Sequence, residues 1–466
     1  MATATDKFER LRAVGGLEKY STARHPMRFY MNVALTAHYT TPESFTLPLK
    51  DYIYKAVETL INQHPVLSAI PHDEESDEPY FVRLPEIDLA QLVSFQKLSQ
   101  KLSLDDHDSE LKSLLQKEHD TGFTAPQPFW RLLILTDNEA EQEFTAVFVY
   151  HHALGDGGSG KAFHRTFLQA LRDAASLQPS EAKQVITPPK TDLLPNLEAA
   201  HPLPISLPYL LKILFRNFFP LKPDPKLWAG AAHQTPLKTQ VRTVVFSADQ
   251  TSALARACRE NGTTVTCALE TIIARALFAH VPEKHSLLTC SVPISNRPWL
   301  SDPKITDDSI GVWVQEFTET FTRKAVSSKQ GTEKTFPWAE AKRARQSVNR
   351  ELSLKGKNTT VGLFKYVKNY RKDLIVVKVG KPRATSYEVS SLGVVQKRDL
   401  DSGIPQIGRV VFTQSASVTG SAVQFSVITG ADGCLVLGVS WQSGIVEDGL
   451  VEGMLGTVRE EVEGLL

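Results

Sequence analysis

The sequence predicts an α/β (α+β) protein of two domains joined by a proline-rich crossover, and three observations carry that expectation. The chain has 466 residues, too many for one ordinary core and enough for two domains of about 200 residues each. Apolar residues alternate in short β-favouring runs and recur at helical spacing in the segments between them. After Ala175 this patterning gives way to prolines, among them Pro179, Pro188, Pro189, Pro195, Pro202 and Pro204, the composition of a connecting segment. The expected organisation is therefore 1–178 as first lobe, 179–240 as crossover and 241–466 as second lobe.

In the first lobe, FYMNVALTAHY alternates as a strand, and Leu49–His64 follows as an amphipathic helix stopped by Pro65. The acidic runs HDEESDE and LDDHDSE read as solvated loops and as the start of a helix near Leu111–Glu118. PFWRLLILTD is the next strand, and Phe144–Tyr150 is apolar enough to be buried on both faces. Gly155, Gly157, Gly158 and Gly160 then permit a tight turn, with Ser159 or Gly158 capping a helix over Lys161–Arg172.

The crossover contains ISLPYLLKILFRNFFPLK, with Lys212, Arg216 and Lys222 among its apolar residues. Such a segment suits a membrane-surface helix, or else a linker helix packed on the body or a cover for an apolar tunnel, and the latter pair is the expectation because Pro208 and Pro220 leave only about three turns. In the second lobe Val241–Phe246 is a strand, Asp249–Asn261 and Val265–Ala279 are helices, and Ser286–Trp299 is a core strand ending in a polar turn. Residues 323–372 are basic, a solvated helix face or a surface for phosphates or an acidic carrier. Three β-rich runs follow, SYEVSSLGVV, SAVQFSVITGADG and CLVLGVSWQSG, the last two as a hairpin about Gly430–Gly433. Leu450, Met454, Leu455, Val458 and Val462 then form the apolar stripe of a closing helix.

Formal net charge is zero, so nothing global points to nucleic acid. Cys258, Cys267, Cys290 and Cys434 are scattered without a CxxC pair and read as reduced core residues. No signal-peptide core or membrane-length run is evident, and a cytoplasmic monomer is expected, with peripheral membrane contact not favoured.

Chemistry concentrates in FTAVFVYHHALGDGGSGKAF, Phe144–Phe163. Adjacent strand residues face opposite ways, so only one of His151 and His152 can enter a given cavity. For the same reason, and because no nearby His or Cys has ligand spacing, no metal is expected. Gly155, Gly160 and Lys161 fit G-x-x-x-x-G-K, but Ala162 lacks the hydroxyl that magnesium needs and Asp156 would repel phosphates. A pair of satisfied core histidines is the plain structural alternative. The third reading is HHxxxDG, given by His151, His152, Asp156 and Gly157.

The blocks LEKYSTARH, INQHPVLS, PFWRLLIL, HHALGDG, VPISNRPW, SYEVSSLG and LGVSWQSGIVEDGL stand in order across the chain. With them the sequence resembles the fungal alcohol O-acetyltransferases, a branch of the group that includes chloramphenicol acetyltransferase, plant BAHD acyltransferases and peptide-synthetase condensation domains. It departs at the SNLG element, here Ser390, Ser391, Leu392 and Gly393, and it lacks the plant DFGWG signature.

The resemblance implies two chloramphenicol acetyltransferase-like lobes, each a mixed sheet flanked by helices, with a tunnel between them. It implies transfer of an acetyl or longer acyl group from acyl-CoA, a co-substrate and not a bound cofactor, to the hydroxyl or amine of a small molecule. His152 would be general base and His151 structural, Asp156 would brace the turn against a distant arginine for which Arg297 is the candidate, Gly157 would admit the backbone to the tunnel, and Ser390 would donate to the oxyanion. Donation from an acyl carrier protein, a non-catalytic binding module and a nucleotide binder are the alternatives.

Overall fold

The computed structural model describes residues 4–465 apart from 100–101, 107, 138–141, 220–223, 328–334, 397–398, 400 and 402. Pro220, Lys222 and Pro223 of the crossover thus lie outside the described residues. Apart from five short strands that form two small sheets, the strands of the first half are, in chain order, β1 (Val33–Thr40), β2 (Val93–Lys97), β3 (Trp130–Thr136) and β4 (Glu143–Tyr150). Those of the second half are β5 (Thr239–Phe246), β6 (Leu287–Ser295), β7 (Val314–Thr322), β8 (Tyr387–Val394), β9 (Gln406–Gln414), β10 (Val423–Thr429) and β11 (Leu435–Gln442).

They form two mixed sheets. The first runs β9-β1-β4-β3-β2 and the second β5-β11-β10-β8-β6-β7. In the first, β2 and β3 are parallel and the other neighbours antiparallel. In the second, β8 is parallel to both β6 and β10. Helices cover the sheets: α1 (Gly16–Arg24), α2 (Leu49–Gln63) and α3 (Gly157–Asp173) accompany the first half, whereas α5 (Val265–His280) and α6 (Asp448–Glu463) pack together on the second sheet. Between the two groups lies α4 (Leu207–Phe218).

Central strands are apolar on both sides because both sides are covered. Every residue of β4 after Glu143 is buried, and so is every residue of β11. The stripe of α6 behaves likewise, with Met454, Val458 and Val462 fully enclosed. All four cysteines are free and buried.

Two expectations are corrected. The lobes do not divide at residue 240, because β9 belongs by sequence to the second half and by hydrogen bonding to the first sheet, where it pairs with β1 from Gln406↔Thr40 to Gln414↔Val33. Its Val410, Val411 and Phe412 fill the first core, and that burial holds the strand there. Nor is α4 more than partly packed on the body: Tyr209, Leu210 and Ile213 are half-buried. None of its described side chains is buried, and Leu207, Leu211, Phe215 and Phe218 stand 67%, 55%, 65% and 78% exposed. Its anchor is the preceding turn, where Asn358 Oδ1 accepts from the Ser206 N–H and Asn358 N–H donates to the Pro204 carbonyl.

Candidate active site

The site begins where β4 ends. The His151 N–H donates to the Phe129 carbonyl (2.9 Å), which carries the strand pairing one residue past Tyr150 and fixes the two imidazoles on opposite sides. His151 is buried, and its Nδ1 accepts the Ala153 N–H (3.0 Å). Its Nε2 lies 3.2 Å from a Glu74 oxygen, and the other Glu74 oxygen is 3.0 Å from His25 Nδ1. His25 Nε2 in turn accepts the Phe123 N–H (3.1 Å). These backbone donors set the tautomers: each ring points its own N–H at the carboxylate. Burial opposes the charge on Glu74, but His151 and His25 outweigh it and hold the carboxyl below its ordinary range. Burial likewise pushes His151 down to about 4, which leaves that ring neutral beside the carboxylate.

The three groups are close enough to suggest a metal site. The ring lone pairs that would bind a cation are, however, already taken by backbone N–H groups. Sequence reasoning placed HDEESDE in a solvated loop, yet the Glu74 side chain is only 12% exposed. No periodicity could have announced that one acid in that run turns inward.

Asp156 caps α3, a role the sequence assigned to Ser159 or Gly158. Its Oδ1 accepts from the Ser159 N–H (3.0 Å) and hydroxyl (3.1 Å), and Oδ2 from the Trp313 N–H (3.0 Å). Arg297 meets it with a two-pronged contact, Nη1 to Oδ2 at 2.9 Å and Nη2 to Oδ1 at 3.0 Å. Burial alone would raise this carboxyl, but the guanidinium and the backbone donors hold it below its ordinary value. The turn is tied further by Tyr150 Oη donating to the Asp156 carbonyl (2.7 Å) and by the Asp156 N–H donating to Gly311 (3.1 Å). The Lys161 ammonium donates to the Leu392 carbonyl (3.1 Å), so the lysine of the glycine-rich turn already has a partner.

His152 faces a cavity of about 300 Å³ whose walls come from both sheets and from α1. Gly157 and Ser390 border it as well. A Cβ on Gly157 would come within 2.9 Å of Leu392 Cδ2 and 3.2 Å of Phe412 Cζ, which is why the smallest residue suits this position. Ser391 turns the other way, its hydroxyl 3.0 Å from that of Thr266. His152 Nδ1 is buried, with no hydrogen-bond partner among the described residues. Burial, reinforced by the positive charge of Arg24, lowers this imidazole to about 4, so it is neutral at pH 7.

The cavity also holds residues that sequence reasoning did not single out. Arg24 lies between the rings of Tyr20 and Tyr30, 4.2 and 4.4 Å from their centroids. The Tyr30 ring is 5.6 Å from that of His152. Tyr30 Oη donates to Gln414 Oε1 (3.0 Å), and Gln414 Nε2 donates to Glu388 (2.7 Å). Burial pushes the Glu388 carboxyl up to about 7. Arg24 lay inside the LEKYSTARH block, and Glu388 two residues before Ser390 on the same face of its strand; these were the only signals available.

The chain matches the family model described as alcohol acetyltransferase over residues 13–452. It is 35% identical over 459 residues to crmB of Aspergillus fumigatus, described as a probable alcohol acetyltransferase, with 94% of this chain and 96% of that one covered. With FCK4 of Fusarium pseudograminearum, described in the same words, it shares 25% identity over 97% of this chain and 94% of that one. Among solved structures, the TRI3 trichothecene 15-O-acetyltransferase of Fusarium sporotrichioides superposes with a TM-score of 0.71 at 14% identity, both chains covered in full. The first condensation domain of the calcium-dependent antibiotic synthetase gives 0.63 at 15% identity, covering 98% of this chain and 96% of that one. At these identities the two structures share the fold with this chain.

Proposed function

We propose, on the premise that this chain belongs to the alcohol acetyltransferase family, that it moves an acetyl group from coenzyme A to the hydroxyl of a small alcohol held in the cavity, with His152 as general base. A thioester is already activated, so what remains is to remove the acceptor's proton and to stabilise the oxyanion. His152 takes the hydroxyl proton as the oxygen attacks the thioester carbonyl. The tetrahedral oxyanion then collapses, the C–S bond breaks, and the thiolate recovers the proton from the imidazolium. No covalent enzyme intermediate is needed.

The single observation that carries this reading is the His152 ring itself, neutral at pH 7 and set in the cavity wall while its neighbour His151 is tied to Glu74. Ser390, on the same cavity, is the proposed hydroxyl donor to the oxyanion. Asp156 acts at one remove, holding the turn on which His152 sits.

Turnover of acetyl-CoA with a panel of alcohols, followed by thiol release, tests the proposal. His152→Ala should keep the wild-type circular dichroism and lose about 10² to 10⁴ in kcat, the range that general bases contribute. Undiminished turnover removes the assignment. An acetylated carrier protein assayed in parallel identifies the donor, and a clear preference for it would replace coenzyme A in the proposal.

A further inference from the structure

Most polar side chains buried in a protein have a partner, yet the wall of this cavity gathers several that do not. Gln315 on β7 is 2% exposed, and neither atom of its amide has a hydrogen-bond partner among the described residues. The same holds for Gln424 Oε1 on β10 (3% exposed), Ser417 Oγ (4%) and Arg24 Nε (9%). All four residues border the cavity that His152 enters. They approach it from separate parts of the chain, so the arrangement is a property of the cavity and not of one loop.

The chemistry on offer is mixed. The amides present both donors and acceptors, the serine hydroxyl can do either, and the guanidinium donates. Groups of both signs border it as well: beside Asp156, which Arg297 already pairs, Arg24 and Lys378 stand with Glu316 and Glu388. A cationic acceptor would meet two cations there, and an anionic acceptor two carboxyls. A straight-chain alcohol would leave every one of these groups unsatisfied once it displaced water. Hydroxyl groups, neutral and able both to donate and to accept, match the whole set.

We infer that the acceptor is a small neutral polyol, bound through several hydroxyls of which one is placed at His152. The inference rests on the acetyl-transfer reading above and narrows it to a substrate class. A site built around the hydroxyls of its substrate discriminates strongly against analogues that lack them, because its own polar groups are then buried without partners.

The test compares kcat/KM for sorbitol and 1-hexanol, equal in carbon number, with acetyl-CoA as donor and His152→Ala as the blank. The polyol should be favoured by about 10² or more. Gln315→Leu and Gln424→Leu, each close in size to the residue replaced, should each lower the sorbitol-to-hexanol ratio by about tenfold or more, in line with the loss of one substrate hydrogen bond. A wild type that acetylates hexanol as well as or better than sorbitol overturns the inference and leaves acetyl transfer standing, as does an unchanged ratio in both folded variants. A wild type that acetylates neither alcohol overturns the acetyl-transfer reading and this inference with it.

Discussion

In the proposed reaction His152 must be neutral when the acceptor arrives, and its surroundings keep it so well below neutral pH. An unperturbed imidazole titrates near 6.5, whereas burial and the adjacent Arg24 bring this one to about 4. With His152 as the proposed base, protonation removes it, and activity should be lost on the acid side of that value and retained above it. The kcat/KM profile should therefore stay level from neutral pH down to about 5 and fall about tenfold per unit below 4. Replacing the arginine in Arg24→Met removes the neighbouring positive charge, and the acid limb should move upward. A wild-type limb at about 6.5 would mean that the ring is hydrated in solution and that burial does not govern its titration. At this scale the sequence was legible in part. The histidine pair, Asp156, Gly157 and Ser390 stood in recognisable motifs, whereas Glu74 did not, because the burial of one acid in HDEESDE depends on His25 and His151, which are distant in sequence.

The turn between β4 and α3 is held from outside its own element. Asp156 closes the first turn of the helix through Ser159, while Arg297 follows β6 of the second sheet and reaches back 141 residues to the same carboxylate. Removing one member of a buried pair leaves an uncompensated charge, at a cost of about 3 to 5 kcal/mol. Asp156→Ala and Arg297→Ala should each lose stability of that order in urea denaturation, and the double variant should lose clearly less than the sum of the two. Additive losses would show that the two side chains act independently. Residual kcat should fall in the single variants at temperatures where they remain folded, since the turn also positions His152. Legibility differed from element to element. Long helices and apolar strands could be read from periodicity, but β9 could not, because the register shift between Ile407 and Val410 breaks its alternation beside Gly408 and Arg409. Strand β7 was missed for another reason: VQEFTETFT alternates, but its outward positions are charged or hydroxyl-bearing and its place is the edge of the sheet.

For the molecule as a whole, the consequence of β9 is that one segment is shared between the two halves. It completes the first sheet and lies across β11 of the second, and Phe412 and Gln414 from it border the cavity. Closest approach occurs at Gly438, where a Cβ would fall 1.9 Å from the Phe412 carbonyl oxygen. No rotamer change can relieve a clash with backbone, so an added methyl group must push β9 away from the second sheet. Overpacking of this kind costs about 1 to 3 kcal/mol or more. Gly438→Ala should therefore be destabilised by at least that amount. It should also raise KM for the alcohol, since displacement of β9 carries Gln414 away from Tyr30 Oη and Glu388. Gly449→Ala supplies the contrast: nothing lies within 4 Å of its added Cβ, and its site in the first turn of α6 tolerates alanine, so stability and KM should stay at wild-type values. If Gly438→Ala matched Gly449→Ala in both measurements, β9 would not be the element that couples the two sheets to the cavity. If it lost stability with KM unchanged, the contact would serve folding alone, and the cavity wall would have to be held by the second sheet without help from the first.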